Sequence, residues 1–401
     1  MADLRVRVVD SLKSVPAGAW DACANPEPKP PAAAENRVQS APDSHNPFVS
    51  HAFLSCLEES GCVSGRSGWQ PTHLIVEQAD GAILAAAPCY LKSHSQGEYV
   101  FDHAWADAYM RAGGRYYPKL QVSVPFTPVT GPRLLVSPRA DPAQAREALV
   151  LGLRALRAQA GASSIHLTFL HHGDWEALGR QGWLQRIDQQ FHWLNEGYAT
   201  FDDFLNALAS RKRKAIKRER RDALSQGVTI EVLIGRDIRE KDWDAFYAFY
   251  TDTGSRKWGR PYLNRKFFSL VGERMPERVA LIMAKRAGRA IAGAINFLGD
   301  TTLYGRNWGC IENHPFLHFE VCYYQAIEFA IARGLARVEA GAQGEHKLAR
   351  GYQPVATYSA HDIADPGLKR AIADYLKRER SYVEEAVTEL ASATPFKKAA
   401  G

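Results

Sequence analysis

The sequence lacks the cysteine spacing of a disulfide or zinc frame. Its six cysteines, Cys23, Cys56, Cys62, Cys89, Cys310 and Cys322, include no C-x-x-C pair, a pattern of reduced thiols in a cytosol. It also lacks an uninterrupted apolar run of membrane length, so no transmembrane helix is expected. The opening residues, MADLRVRVVDSLKSV, mix acid and base where an apolar h-region would stand, and no signal peptide is expected. These absences predict a cytoplasmic protein. A strong charge of one sign is missing too. The net +6 suits anionic substrates but is too small to demand nucleic acid. The H-E-x-x-H order of zinc proteases is absent.

What is present is an ordinary globular composition, 46% hydrophobic and 23% charged. A chain of 401 residues exceeds what one core usually serves, so two domains are expected. The order of elements repeats. In the first half, strands are expected at 4–9, 73–76, 83–90, 99–102 and 119–124, with a hairpin turn at Asp80-Gly81. A helix follows, capped by Asp141 with Pro142 at its first position and Gln144 completing a capping box. It carries Leu149, Val150, Leu153 and Leu156, stops near Gly161, and leads to a strand at 164–170.

In the second half, Thr200 and Asp203 form a capping box at the start of a helical region ending by Gly227. A strand is expected at 228–233, then an aromatic helix bearing Trp243, Phe246, Tyr247 and Tyr250. Strands at 279–284, 290–297 and 302–311, an apolar helix at 319–332 and a strand at 337–340 complete the repeat. A long charged helix closes the chain from Asp365-Pro366 to about Leu390. The domains are therefore placed at 1–197 and 198–390, with a flexible tail at 391–401. A stretch rich in proline and alanine, 24–44, is expected as a mobile loop.

Residues 300–351 are dense in Arg, His, Glu, Tyr, Trp and Gln on strands and a helix that would ordinarily be aliphatic. Buried polar groups must find partners or cost stability, so this density marks a candidate site. Glu339, at a strand end, is either paired with a cation such as Arg306 or serves as a base with a raised pKa. Gly341 and Gly344 permit close backbone approach by a ligand. His346 and Lys347 can be base, anion clamp or plain surface residues. His314 and His318 are four apart, as metal ligands on a helix can be, with Glu312 and Glu320 available. Pro315 between them opposes that reading. Structural capping by His318 and Glu320, or a catalytic or substrate-binding role at a helix N-terminus, are the alternatives.

Upstream, eight of the eleven residues 211–221 are cationic. A solvated helix face is the plain reading. Yet Arg213–Lys217 and Lys214–Arg218 are like-charged i,i+4 pairs that oppose each other. A phosphate bound by Arg211, Arg213, Lys217 and Arg218 would relieve that cost. In the first half, Lys119 and Arg133 are candidate substrate contacts near a loop stiffened by Pro128 and Pro132.

The pattern Arg213, Ile216, Lys217 and Gly227-Val228 before a strand resembles the aminoacyltransferases of the FemAB family. Closer still is the bacterial FemAB-like N-acyltransferase family of peptidoglycan biosynthesis/recognition type. The matching segments are NPFVSHAFL at 46–54, YVFD at 99–102, YYPKL at 116–120, VPFTPVTGPR at 124–133, RKWG at 256–259 and nearly all of 300–361. Residues 24–44 look like an insertion, and Asn307 stands where an aromatic is expected.

The resemblance implies an α+β fold of two tandem GNAT-like (acyl-CoA N-acyltransferase) domains, with mixed central sheets flanked by helices. It implies N-acyl transfer from acyl-CoA or aminoacyl-tRNA to a primary amine, such as that of a cell-envelope precursor reached from the cytoplasmic side. No tightly bound cofactor or metal is implied; tRNA is a possible partner. Such chemistry needs a base, sought among Glu320, Glu339 and His346. It also needs preorganised donors such as Tyr304 or Trp308 for the carbonyl oxygen. Arg306, His318, Tyr324, Gln343 and Lys347 complete the candidate substrate contacts. The alternative, a non-catalytic binding protein for a phosphate-bearing precursor or RNA, is disfavoured by the polar density of 304–347. A metal hydrolase built on His314 and His318 is a third reading.

Overall fold

A computed structural model describes residues 4–26, 45–257, 261–341, 344–392 and 394–397. Most of the proposed mobile loop, 27–44, and the Trp258-Gly259 part of the family resemblance lie outside the described residues. The chain forms two compact units. Ser44–Asp188 and Ala356–Glu385, with the N-terminal segment, make up the first; Gln189–Val355 and the C-terminal end belong to the second. Sequence order alone assigns 356–385 to the second half. Chain contacts put it in the first, because strand Gln353–Ile363 pairs antiparallel with Ser164–Leu170. Its Asp362 also receives Arg154 at 3.1 Å and Arg157 at 2.9 Å.

In the first unit, Leu4–Val9, His73–Gln78, Ile83–Ala87 and Leu135–Val136 form a four-stranded sheet. A second run of strands follows the order Trp69–Pro71, Cys89–Lys92, Lys119–Val122, Ser164–Leu170 and Gln353–Ile363. Lys119–Val122 and Ser164–Leu170 are parallel, and helix Pro142–Gln159 bridges them. Asp141 caps that helix, its carboxylate accepting from the Gln144 N–H at 2.8 Å. Ala145, Leu149, Val150 and Leu153 are buried against Leu120, Val122, Ile165 and Leu167. Residues 99–102 are not a strand. They lead into helix His103–Arg111, and Tyr99 has a positive φ of 61° that no regular strand accommodates.

The second unit repeats the scheme. Its strand order is Val228–Ile234, Val279–Arg286, Arg289–Leu298, Thr302–Cys310, Arg337–Glu339 and Leu184–Leu194. The first four are an antiparallel meander. Thr302–Cys310 and Arg337–Glu339 are parallel, and the apolar helix between them supplies the crossover that parallel strands require. The Thr200–Asp203 capping box forms as expected. The helical region after it breaks into Phe201–Ala207 and Ser210–Ala223. The break is held by the returning C-terminal residues: Ala209 N–H donates to Pro395 O at 2.9 Å, and Lys397 N–H to Ala207 O at 3.0 Å. Residues 394–397, expected in a flexible tail, are therefore docked.

Helix Glu240–Lys257 lies against strand Thr302–Cys310. Its Trp243, Phe246 and Tyr250 pack around Phe268. The approach is so close that a Cβ on Gly309 would sit 2.2 Å from the Phe249 carbonyl. Replacing Gly309 by Ala should therefore cost about 1–3 kcal/mol, read as a lowered denaturation midpoint. An unchanged midpoint would show that the helix can ride off the strand freely.

Candidate active site

The site in the second unit is built on strand Thr302–Cys310. Against Arg289–Leu298 its register shifts: Ile295 faces Asn307, but Asn296 faces Gly305. Arg306 is thus an extra residue, a β-bulge. The bulge reverses the inward–outward alternation of the strand. Before it, Leu303 packs on the core beneath the crossover helix. After it, Trp308 and Cys310 pack with Leu317 and Val321 of that helix. An unbulged strand would point Asn307 there instead. On its other side the strand pairs with Arg337–Glu339 only from Thr302 to Tyr304.

The predicted residues fall into separate groups around this strand. In one, the register aligns Tyr304, Glu339 and His192 on adjacent strands. Buried Glu339 faces the Arg306 guanidinium at 3.5 Å and the His192 ring at 3.9 Å. Arg306 also lies 5.2 Å over the Tyr304 ring. Burial pushes the His192 pKa down, with Glu339 pulling it back up. Close by in sequence, buried Lys347 donates to Gly341 O at 2.9 Å. Burial pushes the Lys347 ammonium down to about 7, against the pull of Cys322 and with a smaller push from Arg306. Gln343 lies outside the described residues.

The second group is aromatic. Trp308 meets His318 edge-on at 5.3 Å. His318 meets Tyr323 at 5.3 Å. His346 sits 5.4 Å from Phe319 and 6.4 Å from His318. A ring nitrogen of exposed His346, Nε2, is hydrogen-bonded to the Tyr323 hydroxyl at 3.0 Å. Arg350 covers the Phe319 ring at 3.5 Å. Burial, then Arg350 and Lys347, lower the His346 pKa below its ordinary value. His314 does not join His318; it bonds Glu312 at 3.0 Å, which also holds Arg286 and Arg289.

A third group corrects two expectations. Glu320, fully buried, is gripped by Arg220 through contacts of 2.9–3.2 Å and by Gln325 at 2.7 Å. Both carboxylate oxygens are thus taken by donors. Tyr324, also fully buried, donates its hydroxyl to Glu219, which Arg350 engages at 2.9 Å. It ties the crossover helix to helix Ser210–Ala223. These pairs fix helix Ser210–Ala223 to the crossover helix, whose first turns are a π segment, Glu320–Tyr324, a feature frequent at functional sites. Ile216, Glu219, Arg220 and Ala223 turn inward, while Arg211, Lys217 and Arg218 are exposed and Arg213 is half-buried. Lys217 lies 3.3 Å from Asp202.

Lys119 and Arg133 are corrected as well. Lys119 is fully buried among Glu98 at 2.7 Å, Asp102 at 2.5 Å and Ser95 at 2.8 Å. Arg133, equally buried, spends its donors on the carbonyls of Thr168, Pro132 and Val129. Both are internal braces of the first unit.

Sequence reasoning missed Tyr323, Phe319, Arg350, His192, Glu219 and Arg220. For Glu219 and Arg220 a signal existed: they fall between Ile216 and Ala223, at the spacing of an inward helix face. For Tyr323 none did, because a π segment leaves no mark in the residue pattern. Glu320→Gln should remove the buried carboxylate that the half-buried Arg220 holds and cost about 1–3 kcal/mol. A melting temperature equal to wild type would mean that Glu328, 2.7 Å from Arg220, suffices alone.

Residues 11–398 match the FemAB-like family, described as peptidoglycan biosynthesis/recognition. No curated protein matches the chain in sequence. Among solved structures, FemX is similar with a TM-score of 0.51 at 12% identity, over 84% of this chain and 96% of FemX. A tandem GNAT protein from the clavulanic acid biosynthesis pathway gives 0.45 at 11%, over 91% and 99%. L-PGS from Bacillus licheniformis gives 0.48 at 10%, over 80% and 95%. At such identities the likeness is one of fold. The α+β architecture with mixed sheets and flanking helices expected from the sequence is the one the chain adopts, and its fold is like that of FemX.

Proposed function

We propose that this chain, which belongs to the FemAB-like family of peptidoglycan biosynthesis/recognition proteins, is an acyl- or aminoacyltransferase acting on an amine, with His346 as its base. One observation carries the assignment. Among the three candidate bases, His346 alone presents an exposed ring with a lowered pKa, while Glu320 is locked to Arg220 and Glu339 faces Arg306. An imidazole that is neutral near pH 7 can take a proton from an incoming amine.

The acceptor arrives as an ammonium and gives up a proton to the imidazole. Its nitrogen then attacks the acyl carbonyl. An amide bond forms and the thioester of acyl-CoA, or the ester of aminoacyl-tRNA, breaks. The proton held by His346 passes to the leaving thiolate or ribose oxygen, and the second proton that the nitrogen loses on becoming an amide goes to solvent. Charge on the carbonyl oxygen during attack needs nearby donors; Arg350, which donates to the His346 carbonyl at 2.7 Å, and Lys347, next in sequence, are cations whose charge acts on His346. Both donors carry phosphates, which the exposed Arg211, Lys217 and Arg218, with Arg213, are suited to hold. The acceptor is a primary amine of a cell-envelope precursor, reached from the cytoplasm.

The test is transfer of label to such a precursor from a labelled acyl-CoA and, separately, from charged tRNA. His346→Gln should lower turnover by about 10²–10⁴ with the melting temperature kept. Because the His346 pKa lies below the ordinary 6.5, the neutral base persists through neutrality. Activity should hold as pH falls to that value and drop only below it. An acid limb centred above it would remove His346 from the role. Reversing Arg213 and Lys217 to Glu should weaken donor capture roughly tenfold at low salt and much less at high salt. Equal capture at low salt would make the run a solvated face.

A further inference from the structure

We infer that Tyr323 is a positioning residue that fixes which nitrogen of His346 accepts the proton. The inference rests on the reading of His346 as base and adds the orientation of its ring. Tyr323 belongs to the π segment Glu320–Tyr324, where neighbouring Tyr323 and Tyr324 are both buried yet serve different partners. Tyr324 turns to Glu219 and Tyr323 to His346. The Tyr323 ring has little freedom. It stacks on Phe319 at 6.0 Å and meets Tyr352 edge-on at 5.5 Å. Its hydroxyl lies 3.0 Å from His346 Nε2 and not from Nδ1.

Gly344 faces the imidazole at Cε1, the carbon between its two nitrogens. A Cβ there would lie 2.4 Å from Cε1, 2.9 Å from Nδ1 and 3.1 Å from Nε2. Its φ of 104° is one that side-chain-bearing residues rarely adopt. The absent side chain gives the ring its room there without favouring either nitrogen. Because the phenol engages Nε2 and not Nδ1, the assignment is that Nε2–H donates to the Tyr323 oxygen and Nδ1 is the acceptor. When Nδ1 takes a proton, the Nε2–H bond to the phenol strengthens, as hydrogen bonds from charged donors do. The groups facing His346 are His318 and Tyr323 from the crossover helix and Lys347 and Arg350 from its own turn. The two cations oppose protonation; the phenol oxygen favours it. Burial raises the Tyr323 pKa, so the phenol stays neutral throughout.

The test uses the whole protein labelled with ¹⁵N-histidine, with the His346 signals assigned by their loss in His346→Gln. In wild type, the neutral ring should show a protonated Nε2 and a bare Nδ1. Tyr323→Phe should lower the His346 pKa by about one unit and mix the two tautomers. If that variant does not fold, 3-fluorotyrosine at position 323, a poorer acceptor of the same shape, should lower the pKa by a smaller step. A wild-type ring protonated on Nδ1 overturns the assignment. So does a pKa and tautomer unchanged by both substitutions, and the base reading would survive that result. Full turnover in His346→Gln would instead overturn the base reading while leaving the NMR result standing.

Discussion

Two parallel strands that stay paired for three residues set the terms for everything around the site. Thr302–Tyr304 hold to Arg337–Glu339, and then the pairing ends while one strand runs on to Cys310. Just past that point the bulge at Arg306 reverses the side-chain alternation. Leu303 and Trp308, five positions apart, can then both face the crossover helix. The polar row Tyr304–Glu339–His192 and the aromatic cluster around His346 are both consequences. Each hangs on where the strands part and on which way the residues beyond it point.

The crossover helix is held at that place by charge as well as by its apolar face. Arg220 on Glu320, and Arg350 on Glu219, are ion pairs with one partner or both largely out of water. Such pairs add little net stability over apolar replacements, but losing one partner is costly. Their effect here is geometric. They tie the basic helix, the π segment and the turn bearing His346 into one body, so that the exposed cations and the imidazole keep a fixed relation.

The first unit shows the same economy with a different outcome. Lys92, Lys119, Glu98 and Asp102 form a buried cluster capped by the Tyr116 hydroxyl on Asp102 at 2.6 Å. Burial raises Glu98 to about 7 and lowers Lys92 to about 7, while Lys119 is held protonated by its two carboxylates. Charged residues at strand ends read in sequence as a place for substrate. In the fold they brace the loop 93–102 against the sheet, each charge answered from within.

Much of the framework was legible. The Asp141 and Thr200 caps, the aromatic face at Trp243, Phe246 and Tyr250, and the repeated order of strands and helix follow from local rules, because caps and periodicity are properties of neighbouring residues. The family resemblance was legible for the same reason. The partners of each charge were not. Nothing near Glu320 in sequence reveals that Arg220, one hundred residues earlier, takes both its oxygens. Nor does Lys119 announce Glu98 and Asp102 as its neighbours. The bulge at Arg306 and the π turn at Tyr323 change which way side chains point without changing which residues are present. The sequence by itself determined which chemistries were available: carboxylates, imidazoles and cations crowded into 304–347. Tertiary structure alone decided which are spent on one another and which remain exposed, because that depends on contacts between distant segments and on a one-residue shift in register.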